Sequence, residues 1–173
     1  MILFLDFDGV LHPDAVFRPR NKPLSLNVEG SLFMYSEILE KALSCHQDVK
    51  IVLSTSWVRE LSFNRTLNKM PAKLAARVEG ATWHKGMLAN GKENDPFNWM
   101  SRYEQIAYHV KRNGVKGWLA IDDLHSGEEV YKWPLELRHR LVLTDGVKGL
   151  SCVDAQLELT NKLSKECAAV GST

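Results

Sequence analysis

Three short apolar runs, each ending in acids or hydroxyls, constrain this chain more than any other feature. Ile2 to Leu5 runs into Asp6, Ile51 to Leu53 into Ser54-Thr55-Ser56, and Trp118 to Ile121 into Asp122-Asp123. Runs this short and uniformly apolar suit strands covered on both faces, as in a parallel sheet. A fourth run, Leu141 to Leu143, meets Thr144-Asp145-Gly146 as a strand meets a turn. Helical periodicity fills the gaps. Over 31–44, Leu32, Leu39 and Leu43 form one stripe while Glu37, Glu40 and Lys41 face away. Over 101–112, Ile106 and Val110 repeat at helical spacing, with Ser101 as N-cap and Gly114 as stop. A closing helix is expected over 154–168, with Leu157, Leu159 and Leu163 along it. Strands alternating with helices give an α/β chain, a three-layer sandwich around a mainly parallel central sheet.

The length of 173 residues suits one domain spanning 1–173. Two irregular insertions interrupt it. The first, about 12–27, carries Pro13, Pro19 and Pro23 with Arg18, Arg20 and Lys22, the composition of a loop or flap with little regular structure. The second, about 84–100, holds Gly86, Gly91, Asp95 and Pro96 among Trp83, Phe97 and Trp99. A formal charge of +1 supplies no global attraction to nucleic acid or an anionic membrane. The apolar start ends at Asp6, far short of a membrane span or secretory leader. Cys45, Cys152 and Cys167 lack the spacing of a zinc site or a disulfide scaffold. They read as small buried or half-buried hydrophobes in a reducing, cytoplasmic setting. Nothing points to an obligate protein partner.

In open parallel sheets ligands bind beyond the carboxyl ends of the strands. Asp6 and Asp8, the Ser54-Thr55-Ser56 triplet, and Asp122-Asp123 should therefore converge at one edge of the sheet. Carboxylates crowded there repel one another unless a cation joins them, and Mg2+ with its preference for oxygen ligands is the usual remedy. With Mg2+ in place, one carboxylate can attack phosphorus to give an aspartyl-phosphate while a second manages the protons. Asp-x-Asp at a strand end offers both groups, because the turn through Asp8-Gly9 can swing the second carboxylate towards the leaving group. Hydroxyls of Thr55 or its neighbours, and N–H groups at the next helix start, can hold the phosphoryl oxygens.

The run Ile2-Leu3-Phe4-Leu5-Asp6-Phe7-Asp8-Gly9-Val10-Leu11 resembles the first motif of the haloacid-dehalogenase-like superfamily. That resemblance implies a Rossmann-like fold with a minimal cap, since the loops after the first and second motifs are short. It implies Asp6 as nucleophile and Asp8 as acid and base, with the metal taking a side-chain oxygen of the first and the backbone carbonyl of the second. The second motif resembles Ile51 to Trp57, with Thr55 as the phosphate-binding hydroxyl and Ser54 and Ser56 as neighbours that could replace it. The fourth resembles Leu119 to Asp123, with Asp123 ahead of Asp122 in completing the metal shell. For the basic third motif Arg102 matches best by position and Lys85 is the alternative, Lys111 and Lys116 lying too near the far end of the helix. Val49 to Arg59, Arg77 to His84 and Leu141 to Leu150 are similar to the HAD domain of Swiss-Army-Knife RNA repair proteins. That likeness makes an RNA end one candidate substrate.

Competing readings stand beside these. Asp122-Asp123 could cap a helix, the Ser54 to Ser56 hydroxyls could satisfy turn backbone, and Arg102 could be a solvated helix arginine. His12 and His84 read as structural or surface residues rather than substrate contacts. Of the tryptophans, Trp57, Trp83 and Trp99 merit attention as substrate-facing surfaces. The expectation is a Mg2+-dependent phosphatase of phosphomonoesters, acting on a small phosphorylated substrate, a nucleotide or a nucleic acid end. The alternatives are a catalytically weak phosphate-binding or regulatory module, and a nucleophile that accepts a group other than phosphoryl.

Overall fold

Strand residues alternate between two faces, so a strand that is apolar throughout needs a core on each side. The computed structural model describes residues 1–18, 23–89, 91–123 and 131–171, and it supplies two such cores. In chain order the elements are β1 (Ile2–Leu5), β2 (Val16–Phe17), β3 (Ser25–Leu26), α1 (Ser36–Leu43), β4 (Lys50–Leu53), α2 (Trp57–Leu61), α3 (Phe63–Leu67), α4 (Ala72–Ala75), β5 (Val78–Ala81), α5 (Arg102–Asn113), β6 (Trp118–Asp123), β7 (Leu141–Thr144) and α6 (Val153–Gly171). Leu3 and Leu5 of β1, Ile51 and Leu53 of β4, and Leu119 and Ile121 of β6 join Leu39 and Leu43 of α1 and Leu159 and Leu163 of α6. The intervening Ile2, Phe4, Val52, Trp118 and Ala120 pack instead with Ile106 of α5 and with Trp133. Period-two alternation thus divides each strand between two helical layers.

The sheet has five strands in the order β5-β4-β1-β6-β7, and every pairing is parallel. β5 is not marked by an apolar run: Val-Glu-Gly-Ala is a half-exposed edge strand, with Glu79 turned to solvent. The helix expected over 31–44 is shorter, because Phe33 takes a left-handed backbone (φ 63°) and α1 begins only at Ser36. Such a conformation in a bulky residue stores about 1–3 kcal/mol, held here by tertiary contacts. α6 runs as expected, but Leu157 is exposed. Lying two positions from Leu159, it falls about 200° around the helix from it.

The first insertion contains a small antiparallel hairpin, β2 with β3; Pro19, Arg20 and Lys22 lie outside the described residues. The second winds through three short 3-10 segments, Lys85–Leu88, Lys92–Asn94 and Pro96–Asn98. Buried Asp95 fastens it, accepting from Trp83 Nε1 at 3.0 Å and Phe97 N at 3.0 Å and pairing with Arg59 Nε at 3.0 Å. Trp83 is accordingly buried, whereas Trp99 is exposed. Cys45 is exposed rather than buried, following the end of α1, while Cys152 and Cys167 are half-buried. Among the described residues no helix is long and apolar enough to cross a membrane.

α5 starts with a capping box. Ser101 Oγ accepts from Glu104 N, and Glu104 Oε2 accepts from Ser101 N at 2.7 Å. The bonds donated by Ser101 N and Ser101 Oγ to Glu104 Oε2 hold that carboxyl below the usual range, and Gly114 ends the helix in a left-handed conformation (φ 62°). Ser101→Ala is expected to cost about 1 kcal/mol and lower the melting temperature by about 2–4 °C, as calorimetry would show.

Candidate active site

From β1 the chain moves outward through β4 to β5, then returns to place β6 and β7 on the other side. The strand order reverses between β1 and β6, and beyond the carboxyl ends of such a pair the open sheet leaves a crevice. Leu5 lies opposite Ile121 in the register, so Asp6 emerges beside Asp122 and Asp123. Each of the three offers a carboxylate oxygen, all within 4.8 Å of one another, and all three residues are buried.

One guanidinium reaches into the cluster. Arg102, the first residue of α5, places Nε 2.8 Å from Asp122 Oδ2 and Nη2 3.4 Å from Asp6 Oδ2, and its Nη1 donates to Gln105 Oε1 at 3.4 Å. Burial would lower the arginine's proton affinity, but the charges of Asp122, Asp6 and Asp123 outweigh it and raise the value. Burial pushes Asp6 well above the ordinary carboxylate range; Arg102 pulls it back, and Asp122 and Asp8 push it up again. Asp122 is raised in the same way, by burial first, against the pull of Arg102. Among the described residues Arg102 pairs with two of these buried acids, and the three acids together form a set of oxygen donors. That donor set fits a hard divalent cation.

Asp8 is not part of this group. At Gly9 the chain turns through φ 68°, where an added Cβ would lie 2.4 Å from Asp123 Cβ, so only glycine lets the loop pass Asp123. Thr144, at the end of β7, ties the loop down by donating from Oγ1 to Gly9 O at 2.7 Å. The Asp8 side chain departs the other way, where Trp57 Nε1 donates to Oδ2 at 2.9 Å and His12 Nε2 lies 3.1 Å from Oδ1.

Of the expected metal residues Asp6, Asp8, Asp122 and Asp123, the structure therefore gathers the side chains of all but Asp8. In the hydroxyl triplet Ser54 and Thr55 are buried and Ser56 is exposed. Ser54 Oγ finds no hydrogen-bond partner among the described residues, while Thr55 Oγ1 accepts from Trp57 N at 3.4 Å. Lys85 is exposed on the wall of a groove along β5, and His84 stands beside Arg112 there. The sequence marked His12 as structural or surface and Trp57 as a substrate-facing surface, without the contact of either to Asp8, and gave Thr144 no role at the site. Thr144 was legible by the same rule as the acids, a polar residue closing an apolar run; the other two carry no local signal for their contact with Asp8.

No curated protein and no solved structure matches the chain. The family described as "HAD domain in Swiss Army Knife RNA repair proteins" matches residues 2–155, a span that holds Asp6, Asp8, the hydroxyl triplet, Arg102 and the Asp122-Asp123 pair. With that match covering most of its length, the chain belongs to the family of HAD domains found in Swiss Army Knife RNA repair proteins.

Proposed function

We propose that the chain is a Mg2+-dependent phosphatase that hydrolyses a phosphomonoester through an aspartyl-phosphate on Asp6. Family membership supports a hydrolase of phosphatase type in general terms. The observation that carries the finer reading is the meeting of Asp6, Asp122 and Asp123 at the switch point, with Arg102 against two of them.

In this reading an Asp6 oxygen attacks phosphorus, the bond from phosphorus to the leaving oxygen breaks, and Asp8 protonates that oxygen. Water then attacks the phosphorus of the acyl phosphate while Asp8 takes its proton, releasing inorganic phosphate and restoring Asp6. Arg102 offsets negative charge beside Asp6 throughout. In this reading Thr55, with the buried Ser54 beside it at the end of β4, would hold phosphoryl oxygens. Asp6, Asp122 and Asp123 would hold Mg2+, which supplies neutralisation of the phosphoryl charge when bound.

The leaving group would lie towards a crevice of about 160 Å³ lined by Asp8, Asp14, Arg18, Ser56 and Trp57. Through Ser56 and Glu60 it adjoins a second crevice, which shares Arg59 and Trp83 with the groove of about 750 Å³ along β5. Neighbouring crevices of this kind suit the end of a polymer better than an enclosed metabolite. Together with the RNA repair context named for the family, it favours a nucleotide or nucleic acid end as substrate.

Two outcomes test the proposal. With Mg2+ and a panel of phosphomonoesters that includes nucleotides and RNA 3′ and 5′ ends, the wild type is expected to release phosphate. Asp6→Asn should lower turnover by about 10³-fold or more; unchanged turnover in that variant, or none in the wild type, contradicts the reading.

The second outcome concerns stability. Because Asp6 and Asp122 titrate above the ordinary aspartate value in the folded, metal-free chain, the folded state holds more protons than the unfolded one between those values. Stability from this source is greatest below the ordinary value of about 3.9 and falls as pH rises through the raised ones. Bound Mg2+ removes the penalty, so its stabilising effect should grow with pH. Mg2+ is expected to raise the melting temperature by several degrees at pH 7.5, less at pH 5, and not at all in Asp123→Asn.

A further inference from the structure

We infer that Trp57 and His12 are positioning residues that hold the Asp8 carboxyl in one rotational setting, aimed at the leaving oxygen. The inference rests on the proposal that Asp8 hands a proton to that oxygen. Each carboxyl oxygen has its own donor: Trp57 Nε1 on Oδ2 at 2.9 Å and His12 Nε2 on Oδ1 at 3.1 Å. The backbone fixes the histidine's tautomer. Phe33 N donates to His12 Nδ1 at 3.2 Å, so Nδ1 carries no hydrogen and Nε2 is the nitrogen that donates to Asp8.

Phe33 reaches this arrangement only through its left-handed backbone (φ 63°). A strained conformation kept in a bulky buried residue marks a place where the surroundings dictate geometry. Around it the rings close into one cluster, with Phe7 to Phe33 at 5.2 Å, Phe7 to Trp57 at 5.5 Å, His12 to Phe33 at 5.3 Å and Phe33 to Trp57 at 5.6 Å between centroids. Thr66 Oγ1 donates to Trp57 O at 3.0 Å and secures the indole's own backbone. Asp8 keeps 22 % of its side-chain surface, and it lines the crevice with Asp14, Arg18 and Ser56. Two donors on two oxygens stop the carboxyl from rotating, so the exposed part of the group faces that crevice.

Leaving groups report this orientation. The constant kcat/KM covers the steps up to formation of the aspartyl-phosphate, where a leaving alkoxide needs a proton and a leaving p-nitrophenolate does not. Trp57→Phe keeps the ring and removes only the N–H. It is expected to lower kcat/KM on a nucleoside 3′-monophosphate by about 10-fold or more and on p-nitrophenyl phosphate by less than about 3-fold. His12→Leu should do the same, and His12→Gln, whose amide can again donate, should recover part of the loss.

An equal loss on both substrates, or no loss on either, overturns the inference while leaving the phosphatase reading intact; a wild type that turns over neither substrate sinks both. A readout independent of activity guards against variants that fail to fold. In the 15N-labelled protein the Trp57 indole N–H resonance is expected to move in Asp8→Asn, and an unmoved resonance also overturns the inference.

Discussion

Three carboxylates buried within reach of one another are the constraint on which the rest of this structure depends. Like charges this close, out of contact with water, raise one another's proton affinity, and burial raises it further. Asp6 and Asp122 show both effects. The fold answers with Arg102, fixed as the first residue of α5 by the Ser101 and Glu104 capping box and paired with Asp122 and Asp6. Together the three acids form a set of oxygen donors of the kind that suits a hard divalent cation.

The two motif aspartates lie in different surroundings. Asp6 sits among acids and Arg102, whereas Asp8, two residues on, lies among aromatic rings and accepts two hydrogen bonds on a partly exposed carboxyl. Gly9 makes the separation possible, since a side chain at that position would collide with Asp123. Thr144 then locks the turn by bonding both Gly9 O and Asp122 O. A loop of a few residues thus sends one carboxylate to the acid cluster and the next to the aromatic ring cluster.

Much of this was legible because the sheet is buried on both faces. Short, uniform apolar runs suit strands of a parallel sheet, and the carboxyl-end rule then places Asp6 near Asp122 and Asp123. Ser101 as N-cap set the register that brings Arg102 to the same edge. The rest was hidden for physical reasons. β5 is an edge strand, so Glu79 and Gly80 give no apolar pattern. At the break in the expected helix Phe33 N donates to His12, 21 residues earlier, and the Trp57 contact to Asp8 spans 49 residues. Side-chain directions set by packing across such distances leave no local trace.

The central claim is that one divalent ion, shared by Asp6, Asp122 and Asp123, prepares Asp6 to take a phosphoryl group. A crystal grown with Mg2+ and BeF3− measures it most directly, because the fluoride complex mimics a phosphoryl group bonded to a carboxylate. The account expects beryllium on an Asp6 oxygen, with one Mg2+ touching Asp6 and at least one of Asp122 and Asp123. A complex bonded to another residue, or Mg2+ bound away from these three acids, would contradict it.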